Sequence, residues 1–128
     1  MGRIRALTES DAGAVAALFQ RVFRRQNTPP PAALLADIRA VYLDDEACDP
    51  ELPSLVHVED DGALSGFIGR HVLAMTLDDR PLRMALCSSI MVDAERTGPL
   101  SGAKLLKAAL EGPQDLSFTD TASDVSLR

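Results

Sequence analysis

Four side chains on or beside the predicted central strands are candidates for a general base. They are His57, Glu59, His71 and Glu95, and an imidazole or a carboxylate is the usual proton acceptor near neutral pH. His57 and Glu59 share one face of a predicted strand, and His71 shares the face of Phe67 on the next strand. The alternative for each histidine is a structural, hydrogen-bonded residue, and for Glu95 it is a solvated turn residue. The sequence alone therefore assigns no catalytic residue.

A run of carboxylates precedes the middle of the chain. It comprises Asp44, Asp45, Glu46, Asp49 and Glu51. A cluster of negative charge attracts a cationic amine, but the same residues also suit a solvated loop. Both interpretations stay open.

Composition excludes several classes of protein. The chain has 128 residues, of which 46% are hydrophobic and 25% charged, as in an ordinary folded domain. The net charge of −6 argues against nucleic-acid binding, which needs a basic surface. No apolar run reaches the roughly 18 residues of a membrane span, and no secretory leader follows Met1. We therefore expect a cytoplasmic protein that binds neither nucleic acid nor membrane.

Two small groups of residues favour structural roles. Arg21, Arg24 and Arg25 stand where cations complement the C-terminus of a predicted helix. The two cysteines, Cys48 and Cys87, have neither metal-ligand spacing nor a disulfide framework. Cys87 lies in an apolar strand, where a thiol behaves as a small hydrophobic group. We expect no metal site.

Helical periodicity dominates the first third of the chain. A short strand is predicted at residues 2–7, and Thr8 with Asp11 then forms a capping pattern. The helix that follows has one apolar stripe, formed by Val15, Leu18, Phe19, Val22 and Phe23. Prolines 29–31 end it. A second helix is predicted at residues 31–43, with an apolar face of Leu34, Ile38, Val41 and Tyr42.

From Ser54 the pattern becomes that of strands. Strands at residues 55–59, 63–77 and 82–92, separated by turn sequences, predict an antiparallel meander. Strict alternation along the third strand places Leu82, Met84, Leu86, Ile90 and Val92 on one face and Arg83, Ala85, Cys87, Ser89 and Met91 on the other. A helix at 99–111 follows, with an inner face of Gly102, Ala103, Leu106, Ala109 and Leu110. A short strand at 116–120 completes an α/β pattern.

This order, β-α-α-β-β-β-α-β, resembles the GCN5-related N-acetyltransferase (GNAT) family over nearly the whole chain. The most specific part is Cys87-Ser88-Ser89-Ile90-Met91-Val92-Asp93-Ala94-Glu95-Arg96, then a glycine-containing loop and Leu105-Leu106 on a helix. The resemblance implies an α+β mixed sheet with the GNAT-like acyl-CoA N-acyltransferase fold. It also implies that acetyl-CoA binds here as co-substrate, with pantetheine along the strand and pyrophosphate at the helix N-terminus. The residues thereby assigned to the site are Ile90, Met91, Val92, Arg96, Thr97, Gly98, Leu100, Ser101, Gly102, Ala103 and Lys104.

The loop departs from the family pattern Arg/Gln-x-x-Gly-x-Gly/Ala. In one register Thr97 stands at the basic position and Leu100 at the middle glycine, and in the other Pro99 stands at that glycine. Pro99 has no N–H for a phosphate, and Leu100 carries a side chain where close backbone approach is needed. The competing interpretation is a turn at Gly98 followed by a helix that packs closely at Gly102.

The family also continues past its fifth strand, into a helix and two strands that often supply a tyrosine as general acid. The resemblance therefore implies one GNAT-like domain, residues 1–128, that is incomplete at its C-terminus. The only tyrosine here is Tyr42, which its helical position favours as a core residue. A fifth strand without its usual neighbours has a free edge, which predicts a homodimer.

The function implied by the resemblance is N-acetyl transfer. A small-molecule or peptide amine would attack the thioester of acetyl-CoA directly, with no covalent enzyme intermediate. The alternative is a non-catalytic, GNAT-derived binding or dimerisation domain, which the altered loop favours.

Overall fold

The elements of the fold follow the predicted order. A computed structural model describes residues 2–98 and 100–119, so Pro99 and the end of the last predicted strand lie outside the described residues. A short 3-10 turn, Glu9–Asp11, precedes the first helix. The other elements are β1 (Arg3–Ala6), α1 (Ala12–Phe23), α2 (Ala32–Tyr42), β2 (Leu55–Val58), β3 (Leu64–Leu77), β4 (Arg80–Val92), α3 (Ser101–Leu110) and β5 (Leu116–Phe118). The mixed α/β class is confirmed.

The strands form one five-stranded sheet in the order β1-β2-β3-β4-β5. Strands β1 to β4 are antiparallel neighbours, which confirms the predicted meander. Strand β5 joins β4 in parallel. A parallel neighbour needs a crossover connection, and α3 provides it by carrying the chain from the end of β4 back to the start of β5.

Helices cover both faces of the sheet. Helices α1 and α2 pack on one face, over a core that includes Val15, Leu18, Ile38, Val56 and Phe67. Helix α3 packs on the other face, over a core that includes Leu55, Ile68, Cys87, Leu105 and Ala109. Phe23 and Val41, predicted on the apolar helix faces, are 54% and 43% exposed because each lies in the last turn of its helix.

Strand β4 contains a β-bulge at Ser89. Its pairing with β3 steps from Met91↔Phe67 to Ser88↔Gly69, so β4 has one residue more than β3 over this interval. Ser89 takes up the extra length in a left-handed conformation, with φ of 54°. That conformation is uncommon for a residue other than glycine.

The bulge exchanges the two faces of β4. Before it, Leu86 pairs with His71 on the α1/α2 face, and after it Met91 is buried on that same face. Ile90 and Val92 pack toward α3 instead. The prediction that Leu82, Met84 and Leu86 share a face with Ile90 and Val92 is therefore wrong, because strict alternation does not continue through a bulge.

The inner face of α3 also differs from the prediction. Ser101, Leu105 and Ala109 are its buried residues, whereas Ala103 and Leu110 are exposed. The reason lies in β3, where Gly66 leaves room for Leu105: a Cβ on Gly66 would lie 2.7 Å from Leu105 Cδ1. Helix α3 is therefore turned so that the row i, i+4, i+8 from Ser101 faces the sheet.

The outer half of the β3–β4 hairpin carries apolar side chains that the described helices leave open. Leu73, Met75 and Leu77 are 40%, 40% and 55% exposed. Cross-strand pairing places Met84 beside Leu73 and Leu116. We call this surface the apolar hairpin face; it comprises Leu73, Met75, Leu77, Leu82, Met84, Leu116 and Phe118.

Candidate functional site

Strand β4 has an open edge along its C-terminal half. Strand β5 pairs with β4 only at residues 84–86, and no other described strand pairs with this edge as far as Val92. A free strand edge presents backbone N–H and C=O groups that an extended ligand can pair with. The open edge leads directly into the loop before α3.

A buried aspartate fixes this loop. The amide of Asp93 donates to Ser65 O at 2.8 Å, and Asp93 O accepts from the amides of Arg96 and Thr97 at 3.0 and 3.2 Å. Arg21 Nε donates to Asp93 Oδ2 at 3.2 Å. Sequence reasoning interpreted Arg21 as a helix-terminal cation and overlooked Asp93. Together they join α1 to the loop.

The N-terminus of α3 gives access to its backbone. A Cβ on Gly98 would meet nothing within 4 Å, and a Cβ on Gly102 would meet only Val92 Cγ2, at 3.4 Å. No described residue accepts a hydrogen bond from the Gly102 amide. A cavity of about 300 Å³ lies here, lined by Val92, Ala94, Thr97, Gly98 and Gly102. Free amides and the helix dipole make such a position suitable for an anion.

A second cavity, of about 370 Å³, lies on the other side of the same helix end. Arg96 and Lys104 supply its cations, and His57, Glu59 and Gly2 complete its wall with Thr97, Gly98, Leu100 and Ser101. His57 Nδ1 lies 2.8 Å from Ser65 Oγ, and Glu59 Oε1 is 3.7 Å from the same nitrogen. The buried imidazole is thus held by its strand neighbours.

The other candidate bases also have structural contacts. His71 Nε2 lies 2.6 Å from Val41 O, and its ring stacks on Tyr42 at 5.5 Å between centroids. The side chain of Glu95 is exposed, and its amide donates to Asp93 Oδ1 at 3.2 Å. For both histidines these contacts match the structural alternative.

The acidic run forms a structured loop. Asp45 Oδ1 and Asp49 Oδ1 accept from the amides two residues ahead, at 2.8 and 2.9 Å. Arg83 Nη1 lies 3.7 Å from Asp49 and 3.5 Å from Glu51. Asp44 and Glu46 are exposed. Asp45, Asp49 and Glu51 therefore have partners within the protein.

The predicted site residues meet at the end of β4 and the start of α3. Ile90 and Val92 are half-buried toward α3, while Met91 is buried in the opposite core, so its backbone is the part available at the strand edge. The hydroxyls of Thr97 and Ser101 contact each other. Leu100, Ala103 and Lys104 are exposed.

The hydrogen bond between Tyr42 and Ser89 was not predicted from the sequence. The Tyr42 hydroxyl on α2 donates to Ser89 Oγ at 2.8 Å, at the bulge of β4. The Ser88-Ser89 pair inside an otherwise apolar strand is the sequence feature that could have revealed it. Tyr42 contacts Phe67 edge-on, at 5.0 Å between ring centroids. Tyr42 thus belongs to the core through its ring and to the candidate site through its hydroxyl.

Other kinds of site find no support in the part of the chain that the structure describes. No described helix is both long and apolar enough to cross a membrane. Among the described residues no three or more His, Cys, Asp or Glu side chains are grouped to hold a metal ion. Cys48 and Cys87 are both free thiols.

Family comparison identifies the class of protein. Residues 3–115 match the acetyltransferase (GNAT) domain family. The chain therefore belongs to the GNAT acetyltransferase family, and the resemblance drawn from its sequence is confirmed. Comparison with curated protein sequences gives no match.

Solved structures share the fold. A Trypanosoma brucei acetyltransferase is 19% identical with a TM-score of 0.67, covering 99% of this chain and 87% of its own. Arabidopsis thaliana glucosamine-6-phosphate N-acetyltransferase is 15% identical with a TM-score of 0.67, covering 99% and 86%. Escherichia coli YhbS, a GNAT family N-acetyltransferase in complex with CoA, is 22% identical with a TM-score of 0.59, covering 86% and 54%. At these identities the likeness concerns the fold.

Proposed function

We propose that this chain is an N-acetyltransferase that moves an acetyl group from acetyl-CoA to an amine. The observation that carries the proposal is the open edge of β4, which runs from Cys87 to Val92 and ends at the accessible N-terminus of α3. An extended arm with an anionic end fits this arrangement. The E. coli neighbour, which is a complex with CoA, supports the choice of ligand.

The residues where the open edge of β4 meets α3 fit the phosphate end of CoA. Gly98 and Gly102 leave the backbone accessible, and the Gly102 amide lacks an acceptor among the described residues. Arg96 and Lys104 add positive charge at the helix start. The pantetheine amides would pair with the backbone of residues 90–92, whose side chains point to the two cores and not along the strand edge.

The chemistry follows from the donor and the acceptor. The amine nitrogen attacks the acetyl carbonyl carbon, the C–N bond forms and the C–S bond breaks. The nitrogen loses one proton to solvent, and the CoA sulfur gains one. Backbone N–H groups at the bulge of β4 suit the charge that develops on the thioester oxygen.

The acceptor that we propose is a small-molecule or peptide amine. The Arabidopsis neighbour acts, by its name, on an amino sugar phosphate; for this chain the acceptor is defined only as an amine. The proposal also describes one GNAT-like domain spanning residues 1–128, located in the cytoplasm. Two free thiols suit a reducing compartment.

Acetyl transfer is tested by binding and by turnover. Calorimetric titration with acetyl-CoA is the first step, and thiol release is then followed with glucosamine 6-phosphate, a peptide with a free α-amine, and a polyamine. We expect saturable binding and CoA release that depends on at least one of the amines. Absence of binding at millimolar acetyl-CoA would refute the proposal.

The second candidate is a non-catalytic dimerisation domain. The apolar hairpin face favours it, because an exposed apolar surface of this kind marks an interaction site. We propose a second copy of the chain as its occupant: the face extends onto β5, a strand of three residues with exposed side chains, and a two-fold axis would pair one such face with another. Binding without amine-dependent thiol release would favour this candidate.

A further inference from the structure

We propose that Ser89 and Tyr42 form a two-hydroxyl relay that protonates the departing CoA sulfur, with Ser89 as the catalytic residue and Tyr42 as its positioning residue. The inference rests on the proposed acetyl transfer. It gives a role to the chain's only tyrosine and to the left-handed residue inside β4.

Three contacts fix the Tyr42 hydroxyl at the bulge. The hydroxyl donates to Ser89 Oγ at 2.8 Å. The ring is held between Phe67, edge-on at 5.0 Å, and His71, stacked at 5.5 Å. On β3, Gly69 leaves space for the ring, because a Cβ there would collide with Tyr42 Cε1. A phenol oriented from three sides loses little freedom when it acts.

The open edge of β4 brings the reactive end of CoA to this pair. The anionic end of CoA is held at the start of α3, in the cavity beside Val92 and Gly102. From Val92 the arm runs back along the open edge of β4 until β5 closes that edge at Leu86. Ser89 lies three residues from Val92, or about 10 Å at the usual rise of a strand. The thioester at the far end of the arm therefore lies beside the bulge.

The proton path is defined by the direction of the hydrogen bond. Because the Tyr42 hydroxyl donates to Ser89 Oγ, the hydrogen of Ser89 is free to point toward the sulfur. As the C–S bond breaks, the thiolate takes the proton of Ser89, and Ser89 takes that of Tyr42. Tyr42 is half-buried and regains its proton from solvent, which has received one from the amine. No net proton is consumed.

The test is a double-mutant cycle with Tyr42→Phe and Ser89→Ala, measured on the amine that gives thiol release with the wild-type chain. Removing a positioned acid typically costs about 10²- to 10⁴-fold in rate. We expect kcat to fall about a hundredfold or more in Ser89→Ala and at least tenfold in Tyr42→Phe, with the KM for acetyl-CoA within about threefold of wild type. The double variant should be no slower than Ser89→Ala, since residues that act as a unit are not additive.

Other results would overturn the relay. Multiplicative losses in the double variant, or an unchanged kcat in Tyr42→Phe, would show that the two hydroxyls do not act through each other. If KM rises while kcat stays constant, the pair only binds the ligand. The affinity of each variant for CoA is also measured by calorimetry. A variant that binds CoA as wild type does is folded, so its loss of kcat reflects loss of the relay. A wild-type chain that binds acetyl-CoA but transfers nothing would refute the function itself, independently of these comparisons.

Discussion

Arg5 on β1 and Asp11 before α1 form a two-bond ion pair. Arg5 Nη1 lies 2.7 Å from Asp11 Oδ2, and Nη2 lies 2.9 Å from Oδ1. The Thr8 amide donates to the same carboxylate at 2.8 Å, which is half of the predicted capping box. One side chain therefore caps the first helical turn and joins it to the edge strand of the sheet.

This pair makes stability depend on pH. The hydrogen bonds from Arg5 lower the pKa of Asp11 from 3.8 to about 2. A depressed carboxyl pKa contributes stability above the unfolded value, and the contribution is lost as pH falls from about 4 to about 2. The full shift corresponds to roughly 2.5 kcal/mol, but because Arg5 is partly exposed we expect about 1 kcal/mol. In urea unfolding, Asp11→Asn should be less stable than wild type at pH 7 by this amount, with the difference shrinking toward pH 3.

The control for this experiment is Glu9→Gln, in the same turn. Glu9 is exposed, so its replacement should change the free energy of unfolding by less than about 0.5 kcal/mol at either pH. A difference between Asp11→Asn and wild type that stays constant with pH would contradict the assigned linkage.

Arg70 is a buried cation that joins three segments by hydrogen bonds. Its Nε donates to Pro53 O at 2.7 Å and its Nη1 to Ala109 O at 3.0 Å. Burial lowers its pKa, and no described carboxylate lies within ion-pair distance. Arg70→Ala leaves a cavity and removes the donor to Pro53 O, while Ala109 O keeps its hydrogen bond from Gln114 Nε2 at 2.7 Å, so we expect a loss of about 2–4 kcal/mol in chemical unfolding.

Two further variants test that explanation. Arg70→Met fills the space without the buried charge and should cost less than Arg70→Ala. Arg39→Ala, on the exposed side of α2, should stay within about 0.5 kcal/mol of wild type. If Arg70→Ala matches Arg39→Ala, the hydrogen bonds of Arg70 contribute nothing to stability.

The sequence predicted the elements better than their faces. Periodicity identified the three helices and the two long strands because burial on one side leaves a regular pattern. It failed at Ser89, since a bulge inserts one residue and reverses every later position. Periodicity also failed to predict the buried face of α3, because that face is set by Gly66 on β3, whose missing side chain makes room for Leu105. The contact between Tyr42 and Ser89 joins residues 47 positions apart, and periodicity carries no information on such pairs.

The two lysines of α3 allow the phosphate end of the site to be tested. Lys104 lines the cavity at the helix start, whereas Lys107 lies one turn on, 3.8 Å from Glu111. We expect Lys104→Ala to weaken CoA binding about three- to tenfold in calorimetry, with a smaller loss at high salt because exposed charges are screened. Lys107→Ala should bind as wild type does. Equal losses in both variants would mean that general charge, and not this position, attracts the ligand.

The apolar hairpin face predicts self-association. Met75 lies on that face, and the exposed Thr76 points to the opposite side of the same strand. In light scattering at tens of micromolar, we expect a dimer for wild type and for Thr76→Lys, and a monomer for Met75→Lys. A monomeric wild type at that concentration would rule out the homodimer under these conditions.

The most direct test of acyl-CoA binding at the start of α3 is a calorimetric titration of Gly102→Leu with acetyl-CoA. A leucine at this position projects into the cavity beside Val92, so it should block the ligand while leaving the helix a better helix former. The control is Ala40→Leu on the exposed side of α2. We expect binding by wild type and by Ala40→Leu, and a loss of affinity of at least about tenfold, or roughly 1.4 kcal/mol, in Gly102→Leu. Equal affinity in all three proteins would contradict this expectation.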